Sequence, residues 1–295
     1  MYNNNINYAY KYCEDITKQN AKNFYYAFKL LPKPKRLAIY ATYAFCRICD
    51  DIVDSLDKNE SKLDKLDKLK ISLININSIN SKKNHNPIFL ALSDAITKFN
   101  IPKNYYLELI LGVQSDISKH RFNNFNELSK YCYQVASVVG LICIEIFGYK
   151  DSNAKKLAIE LGYAMQITNI LRDLKEDLTL GRIYIPLDEI NKFNYSEDEL
   201  LKSLTNDNFK LLMKFQAERA QKYYTNSKPL FNMINKDSRA CIELMHHTYN
   251  KILNLIIEHN FNVFDQRIKI SKFEKTIIFM KLWKKNITNK IMILQ

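Results

Sequence analysis

The chain has 295 residues, 47% of them hydrophobic, with only five glycines and a formal charge of +13. That length can bury a large core. The lack of any glycine before Gly112 and of any G-x-G-x-x-G excludes a Rossmann nicotinamide unit. The positive excess is lysine dispersed among asparagine and isoleucine, a pattern that favours an anionic small substrate over a nucleic-acid surface.

Helical periodicity covers residues 6–31, with Tyr8, Tyr12, Phe24, Tyr25 and Phe28, until Pro32 and Pro34 break it. A second helix is predicted over 35–56. There Tyr43, Arg47, Asp50 and Asp54 share one stripe, while Ile39, Tyr40, Phe45, Ile48 and Ile52 are apolar. Residues 71–86 read as a helix end and an Asn/Ser-rich surface loop. Helices follow over 87–99, 102–119 and 125–147. In the last, Ala136, Ser137 and Gly140 leave room for a close helix neighbour or for an elongated apolar ligand.

The segment 153–177 is predicted as a helix with Gly162, Gln166, Asn169, Asp173 and Asp177 on one polar stripe. Leu161, Met165, Ile167 and Leu171 supply packing opposite. Gly181 ends it, and Arg182 to Pro186 follow as a loop. Further helices are expected over 197–215, 216–235 and 238–260. No repeat or domain boundary appears, so one all-α domain over 1–295 is expected, with a basic tail at 271–295. Seven lysines between 269 and 290, interleaved with Ile277, Phe279, Leu282 and Trp283, read as a docked terminal helix or a peripheral membrane contact.

No stretch reaches the roughly 18 unbroken apolar residues of a spanning helix. The most apolar, 135–147, carries Glu145. The N-terminus shows no basic n-region or apolar h-region, which with six cysteines predicts a reduced, cytoplasmic setting. Cys46 and Cys49 form a C-x-x-C without a second ligand pair and read as small buried residues.

Two acidic stretches carry the chemistry: Asp50-Asp51-Ile52-Val53-Asp54, and Asn169 to Asp177. Residues four apart share a helix face, so Asp50 and Asp54 form one oxygen stripe and Asn169, Asp173 and Asp177 another. Each alone could be a solvated helix face. Both lie in apolar surroundings, where an uncompensated carboxylate costs several kcal/mol. All-oxygen stripes facing one another suit Mg²⁺ shared with a phosphate-bearing substrate, and Lys22, Arg47, Arg172 and Arg182 supply phosphate donors nearby in sequence. The reading of a different class is a non-catalytic basic helical binding protein, in which the aspartates would be dispensable.

Asn23 to Phe28 with Leu31-Pro32, Tyr43 to Arg47 leading into the DDIVD stretch, Tyr131 to Gly140, Gln166 to Asp173 and Gly181 to Pro186 occur in an order that resembles the squalene/phytoene synthase family, over about residues 8–270. The resemblance implies an isoprenoid-synthase helical bundle around a central cavity and head-to-head prenyl transfer. It implies two or three Mg²⁺ held by Asp50, Asp54, Asn169, Asp173 and Asp177. It implies substrate contacts from Asn20, Ala21, Lys22, Asn23, Tyr43, Arg47, Gln166, Arg172 and Tyr249, with Tyr131, Arg182 and Tyr184 lining or closing the cavity. Asp50, Asp54, Tyr131, Arg172, Asp173 and Asp177 are the catalytic set so implied. Family members often carry His and Ser where this chain has Asn20 and Ala21, which removes one diphosphate-binding hydroxyl. The segments 24–28 and 135–149 look most like the branch that makes presqualene diphosphate from two farnesyl diphosphates for downstream isoprenoid enzymes, and that reaction is the expectation. Phytoene and dehydrosqualene or squalene formation are the alternatives, and squalene would also need NADPH.

Overall fold

Helices form where apolar residues recur at three- and four-residue intervals, and five of them end on an aspartate or asparagine: Asp54, Asn75, Asn100, Asp116 and Asp173. The computed structural model describes residues 2–21, 24–76, 86–271 and 274. Lys22, Asn23 and most of the basic C-terminal tail lie outside the described residues. The first helices are α1 (Tyr2–Asn20), α2 (Tyr25–Phe28), α3 (Lys33–Val53), α4 (Asn59–Ile74), α5 (Pro87–Phe99) and α6 (Lys103–Ser115). Next come α7 (Phe125–Cys132), a π-helical turn (Tyr133–Ser137), α8 (Val138–Phe147), α9 (Asn153–Arg172), α10 (Leu174–Thr179) and α11 (Leu187–Lys192). Last are α12 (Glu197–Leu201), α13 (Asp207–Ser227), α14 (Leu230–Met233) and α15 (Lys236–Glu258). Among the described residues there is no strand, only the isolated bridges Arg121–Ile183 and Tyr149–Ile234.

The all-α expectation holds, and several boundaries move for tertiary reasons. The predicted helix 6–31 is two helices. The side-chain amide of Asn20 turns back to donate to the Ile16 carbonyl at 2.9 Å. The break lets Tyr25 of α2 stack on Tyr40 (5.9 Å) and Phe24, just before α2, stack on Tyr249 (5.1 Å), contacts that one straight rod would not direct to both partners. The predicted helix 153–177 stops at Asp173, and α10 starts anew. The predicted break near 215 does not occur. α13 runs straight through it, with Gln216 buried and donating to Glu189, itself held by Arg219.

Helix α9 is the hub, packed against α8, α13, α15 and the π-turn. The α7, π-turn and α8 segments form one apolar rod, Phe125–Phe147, long enough by length and composition to cross a membrane. Half of its most apolar window is buried within the bundle, as in a core helix. The rod is pinched between two glycines. A Cβ on Gly112 of α6 would stand 2.6 Å from Gln134 Cβ, and one on Gly162 of α9 would stand 2.5 Å from Ser137 Cα. Ser137 then donates to the Ile159 carbonyl at 2.9 Å. Close packing and an open wall therefore coexist among the small residues: Ser137 packs, while Ala136 and Gly140 border a cavity.

Gly162→Ala forces backbone against backbone and is expected to lower unfolding stability by about 1–3 kcal/mol. Gly140→Ala meets the Ala158 carbonyl at a milder 3.0 Å and is expected to cost clearly less. Chemical denaturation of the two variants checks the order, and equal losses would refute it.

Candidate active site

Helices α3, α6, α9, α15 and the α7–α8 rod enclose an elongated cavity of about 520 Å³. On α3 its wall passes from Ile39 through Tyr43 and Cys46 to Asp50 and Asp54, and on α9 from Ala158 through Leu161 and Met165 to Asn169 and Asp173. At 1.5 Å per residue each wall runs about 22 Å, apolar at one end and acidic at the other. Leu161 and Met165, expected to pack away from the polar stripe, instead line this cavity. A second depression of about 550 Å³, bordered by Phe215, Arg219 and Tyr223, opens to solvent away from the carboxylates, and its Arg219 is committed to Glu189.

The acidic end is assembled from helix C-termini. Asp54 caps α3, Asp116 caps α6 and Asp173 caps α9. Unpaired carbonyls give a helix C-terminus partial negative charge, so carboxylates there oppose the dipole. Asp50 and Asp177 join them. Asp116 feels Asp50, Asp54 and Asp177 electrostatically and so links the two stripes. It accepts hydrogen bonds from the hydroxyls of Tyr131 and Tyr184, both at 2.9 Å, and those two rings stack at 5.1 Å.

This crowding perturbs protonation. Burial, with Asp173 and Asp116 as neighbours, pushes Asp177 up to about 8. Burial pushes Asp50 to about 7, with Arg47 opposing and Asp54 and Asp116 reinforcing. Burial pushes Asp116 to about 6 against the pull of Arg182 and the two tyrosine hydroxyls. Asp50 is solvent-exposed by area, but the water it meets is that of the cavity, and the mass of protein around it governs its charge. Tyr131 is raised well above the usual phenol by burial and by Asp116.

Arginines occupy the carboxylates. Arg172 forks onto Asp173, with Nε at 2.8 Å, and Arg182 reaches Asp54 at 3.3 Å. Tyr43, Gln166, Arg172, Arg182, Tyr184 and Tyr249 all border the cavity with the five metal-candidate side chains. Arg47 does not line it. It pairs instead with Asp51 on the outer side of α3, its charge still reaching Asp50 and Tyr43. Asn20 is exposed with its amide spent on Ile16, and Ala21 is buried outside the cavity lining.

Two residues went unnoticed in the sequence. Asp116 continues the Leu109, Val113 stripe of α6, so the same periodicity that exposed the other aspartates contained it. Arg267 follows α15 on irregular chain and donates to Asp173 at 2.9 Å, with Glu176 at 3.5 Å. No periodic pattern could have announced it.

The donor set suits a hard divalent cation. It is all oxygen, and the Asn169 Oδ1 is buried without a hydrogen-bond partner at the cavity wall. Among the described residues no three carboxylate, imidazole or thiol groups close around one point as a ready-made cage. The carboxylates stand on separate helices and leave space between them.

A helical bundle whose hydrocarbon-lined cavity ends in opposed aspartates is the architecture of an isoprenoid synthase. The chain belongs to the squalene/phytoene synthase family, whose model matches residues 17–274, and it is accordingly a prenyltransferase. It is 33% identical over 287 residues to a 15-cis-phytoene synthase of Synechocystis sp., covering 93% of this chain and 84% of that one. It is 35% identical over 280 residues to a phytoene synthase of Arthrospira platensis, covering 90% of each. Among solved structures, a dehydrosqualene synthase in complex with ligand superposes with a TM-score of 0.87 at 29% identity, over 97% of this chain and 99% of that one. Squalene synthase HpnC from Alicyclobacillus acidocaldarius gives 0.80 at 26% identity, over 87% and 96%.

A carboxyl whose folded value is raised favours folding fully below its ordinary range, near pH 4, and loses that contribution as pH rises through the folded value. Without divalent cations, Asp177→Asn should therefore melt higher than the parent near pH 8, with the gap closing toward the ordinary carboxylate range. Thermal melts across that window check this; a gap that ignores pH would show that Asp177 is not held in a strained ionised state.

Proposed function

We propose that this protein condenses two molecules of geranylgeranyl diphosphate head to head to phytoene, using Mg²⁺. The convergence of both acidic stripes on one hydrocarbon-walled cavity supports the reaction type. The substrate length rests on the curated relatives, which over nine tenths of this chain are named phytoene synthases at 31–35% identity. The farnesyl-to-presqualene expectation gives way to this alternative, because the motifs that prompted it are shared across the family.

In this reading Asp50, Asp54, Asn169, Asp173 and Asp177 hold Mg²⁺, which when bound supplies Lewis-acid neutralisation of the departing diphosphate. Arg172, Arg182 and Arg267 bind diphosphate oxygens, and Arg47 adds charge from the rim. The C1–O bond of one substrate breaks and its electron pair leaves with the diphosphate. The 2,3 double bond of the second substrate attacks that C1, and loss of a proton closes a cyclopropane. Departure of the second diphosphate and a further proton loss give the C40 polyene with no reductant. In this reading the Asp116 carboxylate, which accepts from the Tyr131 and Tyr184 hydroxyls, takes up a proton from the carbon skeleton, and the apolar walls keep water from the cation.

A second reading, the same chemistry on C15 substrate, draws on the superposition with a dehydrosqualene synthase. Incubation with Mg²⁺ and either the C15 or the C20 diphosphate distinguishes them. A C40 hydrocarbon formed without NADPH is the expected result, and a C30 product alone would overturn the substrate assignment. Asp54→Ala and Asp173→Ala should each lower turnover by about three orders of magnitude or more while circular dichroism stays helical. Full-rate turnover in either would sink the metal-binding assignment.

A further inference from the structure

We propose that Lys175 is a positioning residue for the diphosphate site: its ammonium ties the chain that follows α15 to α10, and so sets where the Arg267 guanidinium stands. The inference rests on the reading that Arg267 binds diphosphate oxygens.

Arg172 is carried by the last turn of α9, whereas Arg267 stands on irregular chain with no helical hydrogen bonds to hold it. Such chain keeps a side chain in place only where other contacts pin it. Asn260 and Phe261, at φ +51° and +61°, turn the chain out of α15. It is then fastened at Phe264 from two sides. The ring packs on Phe209 of α13 at 5.1 Å between centroids, and the carbonyl accepts from Lys175 Nζ at 2.5 Å. Three residues on, Arg267 donates to Asp173 at 2.9 Å and stands 3.5 Å from Glu176. Val263, Ile268 and Ile270 are buried on either side.

The helix that supplies Lys175 also supplies the acids. Asp173 is the N-cap of α10, and Glu176 and Asp177 lie in its first turn. Lys175 and Arg267 therefore bind the strap 261–271 to this six-residue helix at two points. Packing of the Phe264 ring is non-directional, whereas the charge-assisted bond to its carbonyl fixes the register of the strap along α10. Strap and helix then move as one body, and the guanidinium keeps its place beside Asp173 when that carboxylate shifts toward a ligand. Lys175 itself is exposed and does not line the cavity, so its ammonium serves the chain and not the substrate.

The test is a double-mutant cycle on the full-length protein with Mg²⁺. It reads kcat/KM for head-to-head product from geranylgeranyl diphosphate and, apart from turnover, the calorimetric Kd of inorganic pyrophosphate. Lys175→Met keeps the aliphatic stem and removes donor and charge. It should lower kcat/KM and raise the pyrophosphate Kd, each by about three- to tenfold, and Lys175→Arg should bring both back to within about twofold of the parent. Arg267→Ala should itself cost about tenfold or more. In that background Lys175→Met should cost less than about twofold, because the group it positions is gone. An equal cost in both backgrounds would mean that Lys175 acts on the phosphate through its own charge, and would overturn the positioning role. So would a Lys175→Met protein indistinguishable from the parent. Parent-like turnover and pyrophosphate affinity in Arg267→Ala would instead overturn the diphosphate role of Arg267, a separate failure read before Lys175 is altered.

Discussion

Three helices, α3, α6 and α9, point their C-termini at one place and end there in Asp54, Asp116 and Asp173. Three local influences at that point are unfavourable to an anion: partial negative charge from the terminal carbonyls, neighbouring carboxylates, and protein where water would otherwise screen. Charge of this kind persists only where something positive offsets it, since a bare buried carboxylate costs several kcal/mol. The bundle cannot relieve the strain by turning the helices around, because the same three helices carry the apolar wall in their preceding turns. The acidic end and the hydrocarbon end are thus one construction, polar because the helices stop there and apolar because they have not yet stopped.

The α7–α8 rod runs the other way and supplies what those three helices lack. Its π-turn adds a residue between Tyr131 and the cavity-facing Ala136, Gly140, Cys143 and Phe147. In an uninterrupted α-helix the face containing Tyr131 would continue through 135, 138 and 142, and Val138 and Ile142 are in fact buried away from the cavity. The extra residue lets one rod present a phenol to Asp116 at the polar end and small side chains further down. Gly112 and Gly162 make that possible by letting two neighbouring backbones approach the widened turn.

What the sequence disclosed follows from period. The aspartates, Gln166 and Asn169 recur at helical spacing among apolar residues, so their shared face was legible before any fold was known. Arg47 lay on the same stripe, yet Asp51, four residues on, drew it outward, a choice between two carboxylates that spacing cannot rank. Asn20 and Ala21 were placed by resemblance to a diphosphate-binding segment. Here the chain turns at that point so that Phe24 and Tyr25 can reach Tyr249 and Tyr40. Arg267 was invisible for a different reason: it sits on non-repeating chain, and only the return of that segment across α9 and α10, with Lys175 donating to the Phe264 carbonyl, brings it to Asp173.

The arginines now explain how one site can be stable in two charge states. Arg172 and Arg267 hold Asp173, and Arg182 holds Asp54, so two of the four carboxylates that the proposed reading assigns to a divalent cation have counterions without it. In that reading Asp54 and Asp173 would help hold the cation, and the diphosphate bound with it would offer its negative oxygens to Arg172, Arg182 and Arg267. Those guanidinium groups would then turn to the phosphate with the fork geometry that its oxygens accept. In that reading the guanidinium groups would change partner without leaving the site, so little reorganisation of the protein would accompany substrate binding. In that reading the arrangement at the leaving group would be prepared by the same contacts that keep the unliganded site from repelling itself apart.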